Sequence, residues 1–237
     1  MPPNSLQSVC LIECECSSEW LCSLLITLSS LAHPLKCRLC DVVLQPCEEP
    51  RGDDNHIHLS DSRSEILSRE LSNIGISVEN SSMELLEMLR NTSIGNLTLS
   101  FADCASLASE ILHTLKKLTK LYLRGSYTGR CDLKLPASLQ YVSLIKCECS
   151  SEWLCSLLIT LSSLAHPVKC RLCDVVLQPC EEPHIHLSDS RSEIVSRDLS
   201  NIGISVKNGS KELIEILRDT SIGNLTLRTA DCASLAS

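Results

Sequence analysis

Apolar residues recur along this chain in short runs that share one frame. Counted from the first residue of each run, they fall at positions one, four, six, nine and eleven. Examples are LQYVSLIKCEC from Leu139, IGNLTLSFADC from Ile94 and LTKLYLRGSYT from Leu118. Alternation through positions four and six is the period of a half-buried strand, whose successive side chains face opposite ways. Other frames start at Leu6, Pro34, Asp54 and Asn73, giving spacings of 28, 20, 19, 21, 24 and 21 residues up to Leu139. The frames at Asp54 and Asn73 lack the leading leucine and keep only Ile57 with Leu59, or Ile76 with Val78.

Between these runs the period lengthens to that of a helix. Ser62 with Glu65 and Ser81 with Glu84 have capping-box spacing, followed by Ile66, Leu67 and Leu71 or by Leu85, Leu86 and Leu89. Trp20, Leu24, Leu28 and Leu31 predict a third apolar stripe, and Leu107, Ile111, Leu112 and Leu115 a fourth. After Leu44 and Thr128 the chain is turn-rich, with Pro46, Pro50 and Gly129.

A longer repetition overlies the short one. CECSSEWLCSLLITLSSLAHP at Cys14 to Pro34 recurs unchanged at Cys147 to Pro167, an offset of 133 residues on which the short spacings close. The first copy covers 3–109 and the second 136–237, with 110–135 as a linking repeat. Arg51 to Asn55 has no counterpart in the second copy.

The LxxLxLxxNxL frame, with Cys in place of Asn, resembles the leucine-rich-repeat family, whose repeats run to roughly 20–29 residues. The resemblance covers the whole chain, 1–237, as a single array. It implies an α/β solenoid with a parallel β-sheet on the concave side and helices and loops on the convex side. It also implies a non-enzymatic module that recognises a protein on the concave face, similar to the leucine-rich regions of intracellular NOD-like innate immune receptors. A secreted or cell-surface leucine-rich receptor fragment is the alternative within binding proteins. Ser237 matches Ser109 in mid-helix and no polar terminal cap is visible, so a fragment of a longer protein is expected.

Composition narrows the partners. The net charge of -8 argues against nucleic acid and anionic membranes, because phosphate binding needs clustered Lys and Arg. The longest apolar stretch, Leu21 to Leu31, is broken by Thr27, Ser29 and Ser30, too short to span a bilayer. Glu13, Glu15 and Glu19 stand where a signal peptide is uncharged, so a cytoplasmic location is expected, with the 16 cysteines mostly reduced.

Candidate chemistry is sparse. Cys37 and Cys40 form CRLC between His33 and Cys47, a set repeated at His166, Cys170, Cys173 and Cys180, which raises a zinc module as a third reading. The frame opposes it: Cys37 takes position four and Cys40 position seven, on opposite faces of a strand. Cys14, Cys16, Cys147 and Cys149 fit positions nine and eleven as small buried hydrophobes. No GxSxG, HExxH or phosphate loop occurs, so neither catalysis nor a cofactor is expected. Sequons at Asn80, Asn91, Asn96 and Asn224 and the Arg51, Gly52, Asp53 triplet would matter only outside the cell.

The duplication supplies an internal comparison. Ser8 becomes Tyr141, Cys10 Ser143, Glu13 Lys146, Glu79 Lys207, Ser100 Arg228 and Phe101 Thr229. All of these fall at positions three, five, seven or eight, expected on the concave face. Inward changes such as Leu35 to Val168, Leu86 to Ile214 and Met88 to Ile216 stay apolar, while Ser81 to Gly209 and Met83 to Lys211 lie at a helix start. The predicted partner-binding strip on the second copy is Tyr141, Lys146, Lys169, Arg171, His184, His186, Lys207 and Arg228.

Overall fold

The structure, a computed structural model, describes residues 6–31, 33–45, 71–80, 83–100, 105–178, 194, 198–218 and 220–228. It is an α/β fold built on a ten-stranded sheet in which the strand pairs are parallel. The first copy contributes β1 (Ser8–Ile12), β2 (Glu15–Ser17), β3 (Leu35–Cys40), β4 (Val43–Gln45), β5 (Ile74–Glu79) and β6 (Asn96–Ser100). The linking segment gives β7 (Lys120–Tyr127). The second copy gives β8 (Tyr141–Ser150), β9 (Val168–Cys173), β10 (Val176–Gln178), β11 (Asp198–Lys207) and β12 (Ser221–Arg228). Main-sheet neighbours run β1, β3, β5, β6, β7, β8, β9, β11, β12, so chain order is spatial order.

The frame predicted from sequence places the inward side chains correctly. In β3, Leu35, Cys37 and Leu39 are buried while Lys36 and Arg38 are exposed, and β9 repeats this with Val168, Cys170 and Leu172 inward. Positions four of neighbouring strands meet in register, from Val9 through Cys37, Ile76, Leu97, Leu121, Val142 and Cys170 to Ile204. Each such row removes a line of aliphatic surface from water, at roughly 1.5–3 kcal/mol per buried side chain.

The frame at Asp54 lies outside the described residues. On either side of it β3 pairs directly with β5, Leu35 opposite Ile74, and in the second copy β9 pairs with β11, Val168 opposite Ile202. One expectation needs correction: the frame at Leu118 slips. A register shift after Leu123 brings Tyr127, its tenth residue, opposite Cys149 and into the core.

Position eight carries a signature of its own. Glu13, Asp41, Asn80, Lys146, Asp174 and Asn208 hold this position and have φ between 47° and 54°, and Gly125, the eighth residue from Leu118, has φ 113°. Here the chain turns out of the sheet. The position-eight amide donates to a position-seven carbonyl of the next strand, as from Glu13 to Cys40, Asp41 to Glu79 and Asp174 to Lys207. Glu13 and Lys146, unlike Asn, Asp or Gly, pay a steric cost there.

Helices cover the inward face. They are α1 (Ser18–Ser29), α2 (Met83–Leu89), α3 (Ala105–Leu112), α4 (Ser151–Ser162) and α5 (Lys211–Arg218). Ser17 caps α1 and Ser150 caps α4 by accepting from the amides of Trp20 and Trp153. In α5 the cap is Ser210, which accepts from the Leu213 amide, while the box expected at Ser81 lies outside the described residues. Leu85, Leu86, Leu89, Ile111, Leu112 and Leu115 are buried as predicted, whereas the Ser62 to Leu71 helix falls largely outside the described residues. In α1 the buried stripe is Leu21, Cys22, Leu25 and Leu28, with Trp20 turned outward. This helix is apolar on most of its circumference, so the period alone does not choose its phase. Asn73 and Asn201 each donate to two carbonyls at the ends of the preceding helices, Ser29 with Leu31 and Ser162 with Leu164.

Candidate recognition face

Positions three, five and seven form the sheet face turned away from the helices and the core. Row three runs Ser8, Lys36, Gly75, Asn96, Lys120, Tyr141, Lys169, Gly203 and Asn224. Row five runs Cys10, Arg38, Ser77, Thr98, Tyr122, Ser143, Arg171, Ser205 and Thr226. Row seven is broken by the shift in β7, with Ile12, Cys40, Glu79, Ser100 and Arg124 on one side and Ile145, Cys173, Lys207 and Arg228 on the other.

Charge is segregated on this face. Its cations are Lys36, Lys120 and Lys169 in row three, Arg38 and Arg171 in row five, and Arg124, Lys207 and Arg228 in row seven. The lone carboxylate in the three rows is Glu79, on a protein of net charge -8.

The two copies dispose of their equivalent arginines differently. Arg38 donates from Nε and Nη2 to Glu79 Oε2, the former at 3.1 Å, and this bond raises the Arg38 pKa. At the corresponding place beside Arg171 stands Lys207, in the same register, Cys173 opposite Lys207 as Cys40 is opposite Glu79. Arg171 has no carboxylate partner among the described residues.

Aromatic surface gathers beside Arg171. The rings of Tyr122 and Tyr141 lie 5.6 Å apart, tilted by 54°, within reach of a diagonal cross-strand pair. Burial and Tyr141 push the Tyr122 phenol up, and the positive field of Arg171 opposes them. Ser143 stands between Tyr122 and Arg171 in register, is 0% exposed, and its Oγ has no hydrogen-bond partner among the described residues. Sequence comparison noticed the change from Cys10 to Ser143 but missed Tyr122, Lys120 and Arg124, which lie in the linking repeat and have no second copy to be compared with.

The predicted strip is thus partly assembled. Tyr141, Lys169 and Arg171 cluster on β8 and β9, with Lys207 and Arg228 opposite each other on β11 and β12. Lys146 belongs to the left-handed turn at position eight and not to the strand face. There it shares the field of Asp174, whose carboxylate accepts from Asn208 and from the Cys173 thiol and is held below its usual range. His184 and His186 lie outside the described residues.

Cys147 and Cys149 are buried as their frame positions require, whereas Cys14 and Cys16, expected to be buried, are half-buried beside end strand β1. Cys37 faces the core and its thiol is pushed up by burial to about 12, whereas Cys40 lies on the other side and donates to Asp41. Cys147 donates to the Leu123 carbonyl at 3.1 Å, and burial raises Cys147 to about 11 and Cys149 to about 12. Every described cysteine carries a free thiol. Among the described residues no group of three His, Cys, Asp or Glu could hold a metal ion, and no helix is long and apolar enough to cross a membrane.

Comparison with protein-family models, with curated proteins and with solved structures finds no match. The geometry of the chain itself therefore carries the functional reading.

Proposed function

We propose that the protein is a leucine-rich-repeat solenoid that acts as a non-enzymatic protein-recognition module, with the helix-free sheet face as its concave binding surface. The observation that carries this reading is the distribution of change between the two copies. Four radical differences, Ser8 to Tyr141, Cys10 to Ser143, Glu79 to Lys207 and Ser100 to Arg228, lie on rows three, five and seven, and Glu13 to Lys146 at the turn beside them. Against these stand two at a helix start, while the rows facing the core keep their aliphatic character. A rigid parallel sheet presenting variable, exposed side chains in rows suits recognition. Tyrosine and arginine, the residues gathered at β7 to β9, are types enriched among interface hot spots.

A cytoplasmic receptor-type array of the NOD-like kind accords with the free thiols, since such proteins work where cysteines stay reduced. The test is capture of partners from a lysate by the wild type and by variants. Alanine at Tyr141, Arg171 and Arg228 together abolishes capture and leaves the melting temperature nearly unchanged. Alanine at helix-side Glu152 and Glu215 does neither. Loss of capture by the helix-side pair alone would move the recognition surface to the other face.

A further inference from the structure

We propose that the block centred on Ser143 is a built site for the carboxylates of an acidic polypeptide segment, and that the exchange of Glu79 for Lys207 is what opens it. This rests on reading the helix-free sheet face as a recognition surface. In register, Ser143 is flanked by Tyr122 and Arg171, and the adjoining positions of row three are Lys120, Tyr141 and Lys169. No carboxylate occupies rows three, five or seven in this block. Ser143 Oγ is a second and independent sign: a fully covered polar atom with no hydrogen-bond partner among the described residues, as is Asn96 Oδ1 in the neighbouring row three. Buried hydroxyls of this kind are rare without a partner to meet them.

The first copy shows the same site closed. There Arg38 is engaged by Glu79, and Ser8 and Cys10 stand where the second copy has Tyr141 and Ser143. The carboxylate of Glu79 occupies the guanidinium as an acidic ligand would. With Lys207 in its place, Arg171 meets no carboxylate among the described residues and can bind one from outside, to which the planar guanidinium offers a two-pronged donor set. The patch is short and the whole chain is acidic, so a long polyanion would run off the patch into repulsive surroundings. A short acidic segment stays within the cationic rows, which favours a polypeptide over a nucleic acid.

The test is fluorescence anisotropy of the full chain with a fluorescein-labelled glutamate-rich peptide, alongside a labelled oligothymidylate and a labelled neutral serine-rich peptide. The glutamate peptide binds, and binding weakens as salt rises. Lys207→Glu, which recreates the first-copy pair at Arg171, weakens it about tenfold or more, as does Arg171→Gln. Arg38→Gln leaves it unchanged. Glu79→Gln, which frees Arg38, adds a second, weaker site. Tighter binding of the oligothymidylate overturns the proposal, as does indifference to Lys207→Glu in a variant that melts like wild type. If the glutamate peptide fails while partner capture still depends on Tyr141 and Arg171, the acidic specificity is wrong and the recognition face stands. If neither depends on that face, both fail.

Discussion

Trp153 stacks on Tyr127, with ring centroids 4.4 Å apart and planes 21° from parallel, and this contact separates two otherwise identical segments. Trp20 has the same neighbours in sequence yet is 49% exposed, against 1% for Trp153. The difference comes from β7, which lies beside β8 and supplies Tyr127, whereas β1 is an end strand of the sheet. Alanine at Trp153 is expected to cost about 3–5 kcal/mol in urea unfolding, and alanine at Trp20 below about 1 kcal/mol. Equal costs would mean that the preceding strand is not what buries the ring.

The left-handed turns give a prediction of opposite sign. Lys146, at φ 51°, holds a conformation that glycine adopts freely. Lys146→Gly should stabilise the fold by about 0.5–1 kcal/mol, the relieved steric cost less the entropy glycine loses on folding. Asn208→Gly should gain less, because asparagine already tolerates this region. Thermal melts of the two variants decide it, and destabilisation by Lys146→Gly would contradict the account.

Buried thiols make stability depend on alkaline pH. Cys37, Cys149 and Cys170 are raised by burial from 9.0 to about 12, so in the folded protein they keep protons that the unfolded chain releases. The unfolded state then binds fewer protons, and stability falls as pH rises from about 9 toward 12, with full stability below 9. The slope is on the order of 1.4 kcal/mol per pH unit for each thiol. Chevron or urea titrations across that range measure it, and thiol reagents should label exposed Cys10 long before Cys149 or Cys170.

Burial also grades the strands. Ile204, on β11 between two neighbours, is 1% exposed, while Leu225 on end strand β12 is 41% exposed. Alanine at Ile204 should cost about 2–5 kcal/mol and alanine at Leu225 well under half of that. Similar losses at both sites would show that β12 is covered in solution.

Much of this was legible in the sequence where one physical cause acted alone. Positions four and six of most frames face the core because a strand with one dry face must alternate, so Cys37, Leu39, Cys170 and Leu172 were placed correctly. The frame at Asp54 rests on two apolar residues only, Ile57 and Leu59, and lies outside the described residues. The turn at position eight had a signal that went unread: Asp41, Asn80, Gly125, Asp174 and Asn208 all tolerate positive φ and share one frame position. The burial of Trp153 had no local signal at all, since its cause lies on another strand. Of the candidate recognition face, the comparison of copies found Tyr141 and Lys207. Tyr122 and the lack of a carboxylate partner for Arg171 among the described residues emerge only from register, which sets Tyr122 beside Ser143 and Lys207 where Glu79 would have been.

The most direct test of the recognition face is amine labelling, read by mass spectrometry, of the free protein and of the protein bound to its captured partner. Lys120, Lys169 and Lys207 lie on the helix-free sheet face, whereas Lys211 begins α5 and Lys116 follows α3. The account predicts that binding protects the three sheet lysines and leaves Lys116 and Lys211 as reactive as before. Protection of Lys116 and Lys211 with no change at Lys120, Lys169 and Lys207 would contradict it.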